Sequence, residues 1–468
     1  MQSRTDQVHS YEFFLQRVVS GLVARESDPA ELPFRRLGWS GFGSVMVAVV
    51  VAAVFGVIGA LRGGGNTSWQ EGDSIIVEKG TNNVYLYFDD KLHPMANLIS
   101  AQLAMNGAEV TQVSARSIEG VPRGGATLGI QGLPHAFPGN DSLLTDAWTL
   151  CSQEPPDDQS DAVTVTVLGV GSAPQGGAPV GERAVLIREA TEEGQYAMVL
   201  RGYQHPVDPD IEDAVLQALQ VSPTDAVPVS PAFVDALPEG DELTLPPRYQ
   251  PGDQPSTAVP GEELRIGDVI QDQNRYYLVQ ETELDEITQL QAETVARLTG
   301  AQPIPLSPAA NVPRNPLPSL TDTSPPRTAP PFVTGTALGR SVCGVFPPGE
   351  FTPDVLTGGT LDAQNATQLV SENNSPLASY VNVPGGKAVL VQSVSAPDAP
   401  GGAWYVVNDQ GRRFALADVS VAAMLGYDLD KQVRVSGGLV GLLPAGPDLD
   451  PAVARDPVPV GPLGVGGG

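Results

Sequence analysis

The sequence is poor in positive charge. Lys and Arg number 26 against 54 Asp and Glu, and the formal net charge is -28 at pH 7. Because nucleic acids are bound through basic patches, this imbalance argues against a nucleic-acid partner, and it equally disfavours tight contact with an anionic membrane surface. Gly (51) and Pro (44) are too frequent for long helices to dominate the fold, although a hydrophobic content of 41% still permits packed cores.

Sequence motifs of common catalytic chemistry are also missing. There is no G-x-x-x-x-G-K-[ST] phosphate loop, and the nearest fragment, Gly385-Gly386-Lys387-Ala388, lacks the first Gly and the hydroxyl residue. Neither G-x-S-x-G nor S-x-x-K occurs, which removes the usual serine acyl-enzyme signatures. The four His lie in separate segments, and His93-Pro94 and His205-Pro206 occupy similar places that are typical of local turns. The sequence therefore predicts no catalytic residue, no metal site and no cofactor.

One segment is long and apolar enough to cross a membrane. Phe42 to Leu61 is a run of twenty residues without a charge. As a helix it spans about 30 Å, the hydrocarbon thickness of a bilayer. A cleavable signal peptide is the alternative, but about 40 residues precede the run, and the run exceeds the usual ~7–15 residues of a signal peptide. We therefore expect a retained transmembrane helix at 41–62.

The flanking charges predict the orientation of this helix. Arg35 and Arg36 come directly before it, and beyond Arg62 the next basic residue is Lys79. By the positive-inside rule the N-terminus is cytoplasmic, and about 400 residues lie outside the membrane. We expect a single-pass protein of the cell inner membrane with most of its chain on the extracytoplasmic side.

Small residues recur along one side of the predicted span. They lie four positions apart, at Ser44, Ala48, Ala52, Gly56 and Ala60. Such a series lets another helix approach closely, so we expect a helix partner within the membrane. The alternative is that the span is simply rich in small residues.

The stretch before the span, residues 1–40, predicts a cytoplasmic amphipathic helix. Its apolar residues recur at helical spacing, at Val8, Tyr11, Phe14, Leu15, Val18 and Leu22. Pro29 and Pro33 are expected to end this pattern before the membrane. Because the polar face is not rich in Lys or Arg, a partner protein is favoured over the bilayer surface as the binding site of the apolar face.

The region after the span contains internal repeats. Four segments share an aromatic-led strand, a polar turn and an amphipathic stretch, and their anchor tyrosines are Tyr85, Tyr196, Tyr277 and Tyr405. Three copies close on a Leu-Pro pair, at Leu237-Pro238, Leu317-Pro318 and Leu443-Pro444, and no equivalent is evident in the first copy. Each copy predicts a small α/β module of one or two strands and a helix, too small to bury a core alone.

Composition between the repeats predicts the remaining boundaries. After a linker at 63–74, we expect the repeats at 75–120, 191–255, 256–320 and 397–447. Runs typical of β-strands at 121–190 and, after a Pro-rich extended connector, within 321–396 predict a central β-rich domain in two parts. Residues 448–468 are expected to form a flexible tail. The expected fold class is α+β, with an elongated region of four α/β repeats around the central domain.

The sequence contains two cysteines, Cys151 and Cys343, and both fall on the predicted exported side. In an oxidising compartment two thiols make a disulfide the default pairing. The bridge would join both parts of the central domain across 192 residues (343 minus 151). By the chain-entropy argument it would contribute roughly 5 kcal/mol at most. A metal site is the alternative, but two Cys without neighbouring His cannot complete a tetrahedral ligand set.

Several stretches of the chain resemble the EccB family, membrane components of actinobacterial type VII (ESX) secretion systems. They are QVHSYEFFLQRVVSGLVAR near the start, DDKLHPMANLISAQL after the span, WTLC at Trp148 to Cys151, and WYVVNDQGRRFALADVSVAAMLGY followed by LVGLLPAGPDLDPA near the end. The first stretch departs from the family in one respect, because members tend to have Arg after the first Tyr, where this chain has Glu12.

The resemblance implies a cytoplasmic helix, one anchor, four periplasmic repeats and a central domain that holds a disulfide. It also implies assembly with the FtsK-like ATPase EccC, with EccD, EccE and further copies of EccB, and with a mycosin protease as a further partner. We therefore expect a structural subunit that anchors and organises the periplasmic part of a protein export channel. Two alternatives stay open. One is ATP hydrolysis, which is attributed to the family, although this sequence has no phosphate loop to support it. The other is a cell-wall glycan-binding module.

Overall fold

The computed structural model describes residues 4–24, 33–61, 68–156, 164–309, 311–369 and 377–459, without the side chains of 23–24, 33–38 and 58–61. Two long helices come first, at Arg4–Ala24 and Pro33–Leu61. Within the described residues, Trp39–Val57 is the one helical stretch long and apolar enough to cross a membrane. The second helix begins earlier than the predicted 41–62, because Pro33 opens it at the first helical position, where proline is favoured.

Four sheets share one topology, and we name them repeats 1 to 4. Each has three successive antiparallel strands, a helix, and a fourth strand that pairs parallel with the first, in the spatial order third-second-first-fourth. Repeat 1 has strands Ile75–Glu78, Val84–Phe88, Lys91–Met95 and Val110–Val113, with helix Leu98–Ala104. Repeat 2 has strands Ala184–Glu189, Tyr196–Leu200, Tyr203–Pro206 and Val227–Val229, with helices Glu212–Ala218 and Pro231–Ala236.

Repeats 3 and 4 follow the same order along the chain. Repeat 3 has strands Val269–Asp272, Arg275–Val279, Leu284–Ile287 and Ile304–Pro305, helix Gln289–Thr299, and an added strand Arg314–Asn315 beside the third. Repeat 4 has strands Val389–Val394, Ala403–Val407, Arg413–Ala415 and Val433–Ser436, with helices Ser420–Met424 and Gly437–Gly441. The repeat is thus larger than the predicted one or two strands and a helix.

A seven-stranded central sheet carries the disulfide. Its strands lie in the order Thr367–Gln368, Tyr380–Asn382, Val165–Val170, Trp148–Gln153, Val342–Phe346, Asp354–Thr360 and Gln175–Pro179. The mixed α+β fold class predicted from the sequence is confirmed, with several small sheets and one candidate membrane helix.

Two strands expected in the central domain belong to repeats instead. Ala184–Glu189 is the first strand of repeat 2, and Val389–Val394 is the first strand of repeat 4. Each pairs antiparallel with the second strand of its repeat and parallel with the fourth. A fully buried apolar strand has the same sequence pattern in either sheet, so only the pairing partner distinguishes the two assignments.

The repeats form two pairs through their helices. Helix Leu98–Ala104 of repeat 1 packs on Ser420–Met424 of repeat 4, and Glu212–Ala218 of repeat 2 packs on Gln289–Thr299 of repeat 3. Repeats 1 and 4 share one apolar core, which includes Ile75, Val84, Ile99, Leu390, Val406 and Phe414. A second core joins the central sheet to repeats 2 and 4, through residues such as Leu150, Val342, Val185, Val199, Val391 and Val407. Repeat 3 differs in having two smaller clusters of its own, and Leu290 of its helix packs into the core of repeat 2.

Part of the predicted linker and part of the predicted tail are packed structure. Trp69 is fully buried, and its indole Nε1 donates a hydrogen bond to the Ser117 hydroxyl at 3.1 Å. Near the C-terminus, Leu449 is buried, and the Arg455 guanidinium donates to the Ala104 carbonyl at 2.9 and 3.1 Å. The expectation of a flexible tail from 448 is therefore wrong as far as residue 459, because these residues contribute apolar side chains to the core of repeats 1 and 4. Residues 460–468 lie outside the described part.

Candidate functional site

The two cysteines form a disulfide in the middle of the central sheet. Cys151 and Cys343 lie directly opposite each other on adjacent antiparallel strands, with a Cα–Cα distance of 4.0 Å. Both are fully buried among Val165, Val167 and Leu361. The predicted bridge is confirmed. Because repeats 2 and 3 lie between the two cysteines in the chain, the bridge closes the loop from which both repeats project.

The strand register shows which residues of the four repeats are equivalent. At one equivalent position of the second strand, which pairs with an apolar residue of the first strand, repeats 1 to 4 have Tyr85, Ala197, Tyr277 and Tyr405, respectively. Tyr196 therefore stands one residue early and points to the opposite face of its sheet. The predicted anchor series holds in three copies and is wrong in repeat 2, because Tyr196 is equivalent to Tyr276 and Trp404, whereas the anchor position itself holds Ala197.

The anchor tyrosines carry a guanidinium against the ring. Arg123 lies over Tyr85 at 4.4 Å from the ring centroid, Arg314 over Tyr277 at 5.4 Å, and Arg413 over Tyr405 at 5.6 Å. These distances are typical of cation–π contacts, which contribute about 0.5–2 kcal/mol each depending on exposure.

A proline closes every repeat beside its third strand. The carbonyls of Pro122, Pro238, Pro313 and Pro444 each accept a backbone N–H from that strand, at 2.9, 2.9, 3.0 and 3.0 Å. The structural equivalent of the Leu-Pro endings is therefore Val121-Pro122 in repeat 1 and Val312-Pro313 in repeat 3. The prediction that Leu317-Pro318 closes repeat 3 is wrong, because this pair lies beyond the added strand Arg314–Asn315.

In three repeats, the side-chain ring of a third-strand residue packs on the glycine two residues after the closing proline. A Cβ on Gly124, Gly240 or Gly446 would collide with the ring of His93, His205 or Phe414, respectively, from the third strand. Both similarly placed histidines are thus packing residues. His205 is 1% exposed, and its Nδ1–H donates to the Asp241 carbonyl at 2.9 Å; burial lowers the pKa of this imidazole below its ordinary value.

Repeat 3 replaces the ring and the glycine with polar residues. Asp285 stands at the ring position and Asn315 at the glycine position, and the Asn315 amide donates to Asp285 Oδ1 at 2.6 Å. Arg248 donates to the same Oδ1 at 3.0 Å and to Glu283 at 2.8 Å. The hydrogen bond from Arg248 holds the pKa of the Glu283 carboxyl below its ordinary value.

The N-terminal helices present the residues predicted for binding. Val8, Tyr11, Phe14, Leu15, Val18 and Leu22 all lie on helix Arg4–Ala24, and each is at least 43% exposed. On the apolar helix, Ser44, Ala48, Ala52 and Gly56 are exposed, and the Ser44 hydroxyl donates to the Gly41 carbonyl one turn back at 2.8 Å. The side chain of Ala60 lies outside the described part. Docking by either helix stays a prediction.

The fragment nearest to a phosphate loop is a turn held by a carboxylate. The Gly386 N–H donates to Asp409 Oδ2 at 2.9 Å, and the Lys387 N–H donates to the Pro384 carbonyl at 3.1 Å. A strand follows this turn, whereas a phosphate loop is followed by a helix whose N-terminus faces the anion. Among the described residues, no group of three His, Cys, Asp or Glu side chains could hold a metal ion.

Comparison with known proteins places these features in one family. The family profile described as "Type VII secretion system ESX-1, transport TM domain B" matches residues 2–459. The ESX-1 secretion system ATPase EccB1 of Mycobacterium tuberculosis is 27% identical over 97% of this chain and 95% of the relative. The ESX-3 secretion system ATPase EccB3 of Mycolicibacterium smegmatis is 26% identical over 97% of this chain and 91% of the relative.

Two solved structures share the fold. A chain of an intact ESX-5 inner membrane complex aligns with a TM-score of 0.63 at 24% identity, covering 99% of this chain and 97% of the other. The EccB3 dimer from the ESX-3 core complex aligns with a TM-score of 0.60 at 24% identity, covering 82% of this chain and 99% of the other. With the profile match across nearly its whole length, this chain belongs to the EccB family of type VII (ESX) secretion-system membrane components.

Proposed function

We propose that this chain is a structural subunit of a type VII secretion inner-membrane complex, which anchors and organises the periplasmic part of the export channel. The observation that carries the proposal is the continuity of the apolar cores. Repeats 1 and 4 share one core, and the central sheet shares another with repeats 2 and 4. Repeat 3 joins through Leu290, which packs into the core of repeat 2. Shared cores resist relative motion, and resistance to relative motion is what a scaffold needs.

The proposal assigns separate roles to the N-terminal helices. Residues 4–24 would bind a cytoplasmic partner through the exposed apolar stripe that includes Tyr11 and Phe14, with an FtsK-like EccC ATPase as the proposed partner. The helix with the small residues would pack against membrane helices of EccD or EccE. By the positive-inside rule, the repeats would then face the periplasm, where further copies of this chain and a mycosin protease would join them. The solved relatives in an inner membrane complex and in a dimer support such assembly.

A pull-down of the full chain in mild detergent, read by mass spectrometry and native mass, tests this role. Phe14→Glu places a charge on the exposed stripe, and Gln16→Glu places the same charge on the other side of the same helix. We expect wild type and Gln16→Glu to co-purify with an FtsK-type ATPase in a large particle, and Phe14→Glu to lose the ATPase while keeping its own fold. A lone wild-type monomer without partners would contradict the proposal.

ATP hydrolysis is the rival function, because curated relatives carry "ATPase" in their names. The turn at Gly386 argues against it here, since its amide is already bound to a carboxylate that would repel a phosphate. ATP turnover by the purified full chain should therefore equal that of a Lys387→Ala variant. ATP turnover that disappears in the Lys387→Ala variant would favour ATP hydrolysis over a purely structural role.

A further inference from the structure

A deep cleft lies where repeats 2 and 3 meet. It has a volume of about 410 Å³, and its walls are Asp241 to Arg248 of repeat 2 and the segments around Asp285 and Asn315 of repeat 3. The buried side chains of Leu243, Leu278 and Leu290 contribute to its lining, which is mainly apolar. This volume lies within the range of about 300–1,000 Å³ that is typical of small-ligand sites.

A proline-rich segment forms the remaining wall of the cleft. Pro316, Pro318, Pro325 and Pro326 line it, and backbone hydrogen bonds hold the segment to both repeats. The Asp241 N–H donates to the Thr323 carbonyl at 2.8 Å, and the Leu290 N–H donates to the Arg327 carbonyl at 3.0 Å. Because proline fixes its own backbone angle and these bonds fix the ends, the cleft is preformed.

The cleft opens where repeat 3 departs from the other repeats. In repeats 1, 2 and 4 a ring on the third strand covers a glycine, whereas repeat 3 has Asp285 and Asn315 at these two positions. Both replacements line the cleft. The polar pair therefore places a carboxylate and an amide at the cleft, where the other repeats have a ring packed on a glycine.

The polar groups of the cleft favour a cation. Asp241, Glu242, Asp285 and Glu286 line it, and Arg248 is the one cation among the lining residues. Arg248 already bonds to Asp285 and Glu283, and Glu286 pairs with Arg275 at 4.0 Å, so Asp241 and Glu242 add negative charge that neither pair offsets. Both donors to Asp285 reach Oδ1, while the buried Oδ2 has no hydrogen-bond partner within the described part of the chain. Oδ2 has almost no accessible surface, so a ligand N–H reaches it only after the Asp285 side chain turns toward the cleft. A buried carboxylate oxygen without a donor is costly, and such a contact would remove that cost.

We propose that this cleft binds a cationic group carried on an apolar body, with Asp285 accepting a hydrogen bond from the amidinium, guanidinium or ammonium. The apolar body would rest on Leu245, Leu317 and Leu320, which line the cleft and keep accessible surface. The cation has two possible sources, a free organic cation or a basic side chain that a partner protein inserts. The site is independent of the proposed scaffold role and adds a ligand-binding function to it.

Isothermal titration of the full chain in non-ionic detergent tests the site with two matched probes. Benzamidinium carries the charge, and benzamide has the same ring and nearly the same size without it. We expect benzamidinium to bind at least about tenfold more tightly, the usual effect of one charge-assisted hydrogen bond. Asp285→Asn should weaken benzamidinium binding by at least about tenfold, and Ser319→Trp, which fills the cleft without removing a charge, should also weaken it.

Glu281→Gln is the control, because it removes one charge from repeat 3 at an exposed position outside the cleft. It should leave the affinity unchanged, and unchanged thermal unfolding of Ser319→Trp would show that its effect is local. Two peptides distinguish a free cation from a basic side chain of a partner protein. They are acetyl-Pro-Arg-Pro-amide and its neutral citrulline analogue. Binding of the arginine peptide with the same dependence on Asp285 supports a partner's side chain, and binding of benzamidinium alone supports a free cation.

Two results would overturn the proposal. One is equal affinity for benzamidinium and benzamide, which would leave no role for the carboxylate. The other is benzamidinium binding that neither Asp285→Asn nor Ser319→Trp changes, which would place the probe elsewhere on the protein.

Discussion

At the scale of single residues, the glycines that close the repeats have a steric reason. The three heavy atoms nearest to a Cβ on Gly446 would all be ring atoms of Phe414, each within 3.0 Å, and a Cβ on Gly240 would lie 2.5 Å from the ring of His205. No side chain fits between such a ring and the backbone. This requirement explains why the Pro-x-Gly ending recurs in repeats 1, 2 and 4, and why repeat 3, which has no ring there, can carry Asn315.

Gly446→Ala should destabilise the fold by about 1–3 kcal/mol, because the new methyl group overpacks the ring of Phe414. Gly139→Ala is the matched control, since a Cβ at this position meets nothing within 4 Å. Urea unfolding of the full chain in detergent measures both. In a Phe414→Leu background the cost of Gly446→Ala should fall by about 0.5–3 kcal/mol. An unchanged cost would show that the ring is not what excludes the side chain.

His205 should make stability depend on pH. Burial lowers the pKa of its imidazole below the value of about 6.5 that it has in an unfolded chain, so between the two values the unfolded state binds more protons. This contribution is fully present above about pH 6.5 and is lost as the pH falls from there through the folded-state pKa.

His205→Phe should flatten this part of the dependence, because repeat 4 already has Phe414 at the same position. His135→Gln, which changes an exposed imidazole, should leave the slope as it is in the wild type. Thermal unfolding between pH 7.5 and pH 5 checks both variants. Equal slopes for wild type and His205→Phe would assign the dependence to other groups.

At the scale of elements, the helices before the repeats differ from those within them. Short helices such as Leu98–Ala104 bury one face on a sheet and on a helix of a neighbouring repeat. Helix Arg4–Ala24 and the stretch Trp39–Val57 instead expose nearly all of their large apolar side chains. An apolar surface of this extent requires a bilayer or a protein partner.

The small-residue side of the apolar helix should be the side that approaches another membrane helix. Ala52→Phe places a bulky ring on that side, and Val50→Phe places the same ring on the opposite side. We expect Ala52→Phe to reduce co-purification of membrane partners several-fold, because close helix approach depends on small side chains. Similar losses for both variants, measured by quantitative mass spectrometry of the pull-down, would argue against a specific ridge.

At the scale of the whole molecule, one covalent bond and two shared cores hold the parts together. The disulfide joins central strands 192 residues apart in sequence, and repeats 2 and 3 form the loop that it closes. Repeat 4 contributes to both large cores, so it connects repeat 1 with the central sheet and repeat 2.

Removing the bridge with Cys151→Ala and Cys343→Ala together should lower the free energy of unfolding, by about 5 kcal/mol at most for a loop of this length. Under reducing conditions the free energy of unfolding of the wild type should approach that of the double variant. The two single variants should have the same free energy of unfolding as the double variant. Denaturant unfolding with and without reductant measures the difference. A double variant as stable as the oxidised wild type would show that the cores alone fix the central sheet.

Features that depend on local composition, or on a choice with one possible outcome, could be predicted from the sequence. A run of uncharged residues around Trp39–Val57 can only be a buried or membrane helix, and two thiols allow one internal pairing. The existence of four related units was also readable, because aromatic-led strands and amphipathic helices recur at similar spacing.

The register of the strands and the sheets to which they belong could not be predicted in this way, because both depend on contacts between distant segments. Ala184–Glu189 and Val389–Val394 are apolar strands whose sheet depends on hydrogen bonds to distant segments. The wrong predictions for Tyr196 and Leu317-Pro318 have the same origin. A shift of one residue or one turn leaves the sequence pattern intact but changes which residues pair. The cleft exists only because folding brings the segment 241–248 and the strand of Asp285 to one place, and no local sequence pattern encodes that arrangement.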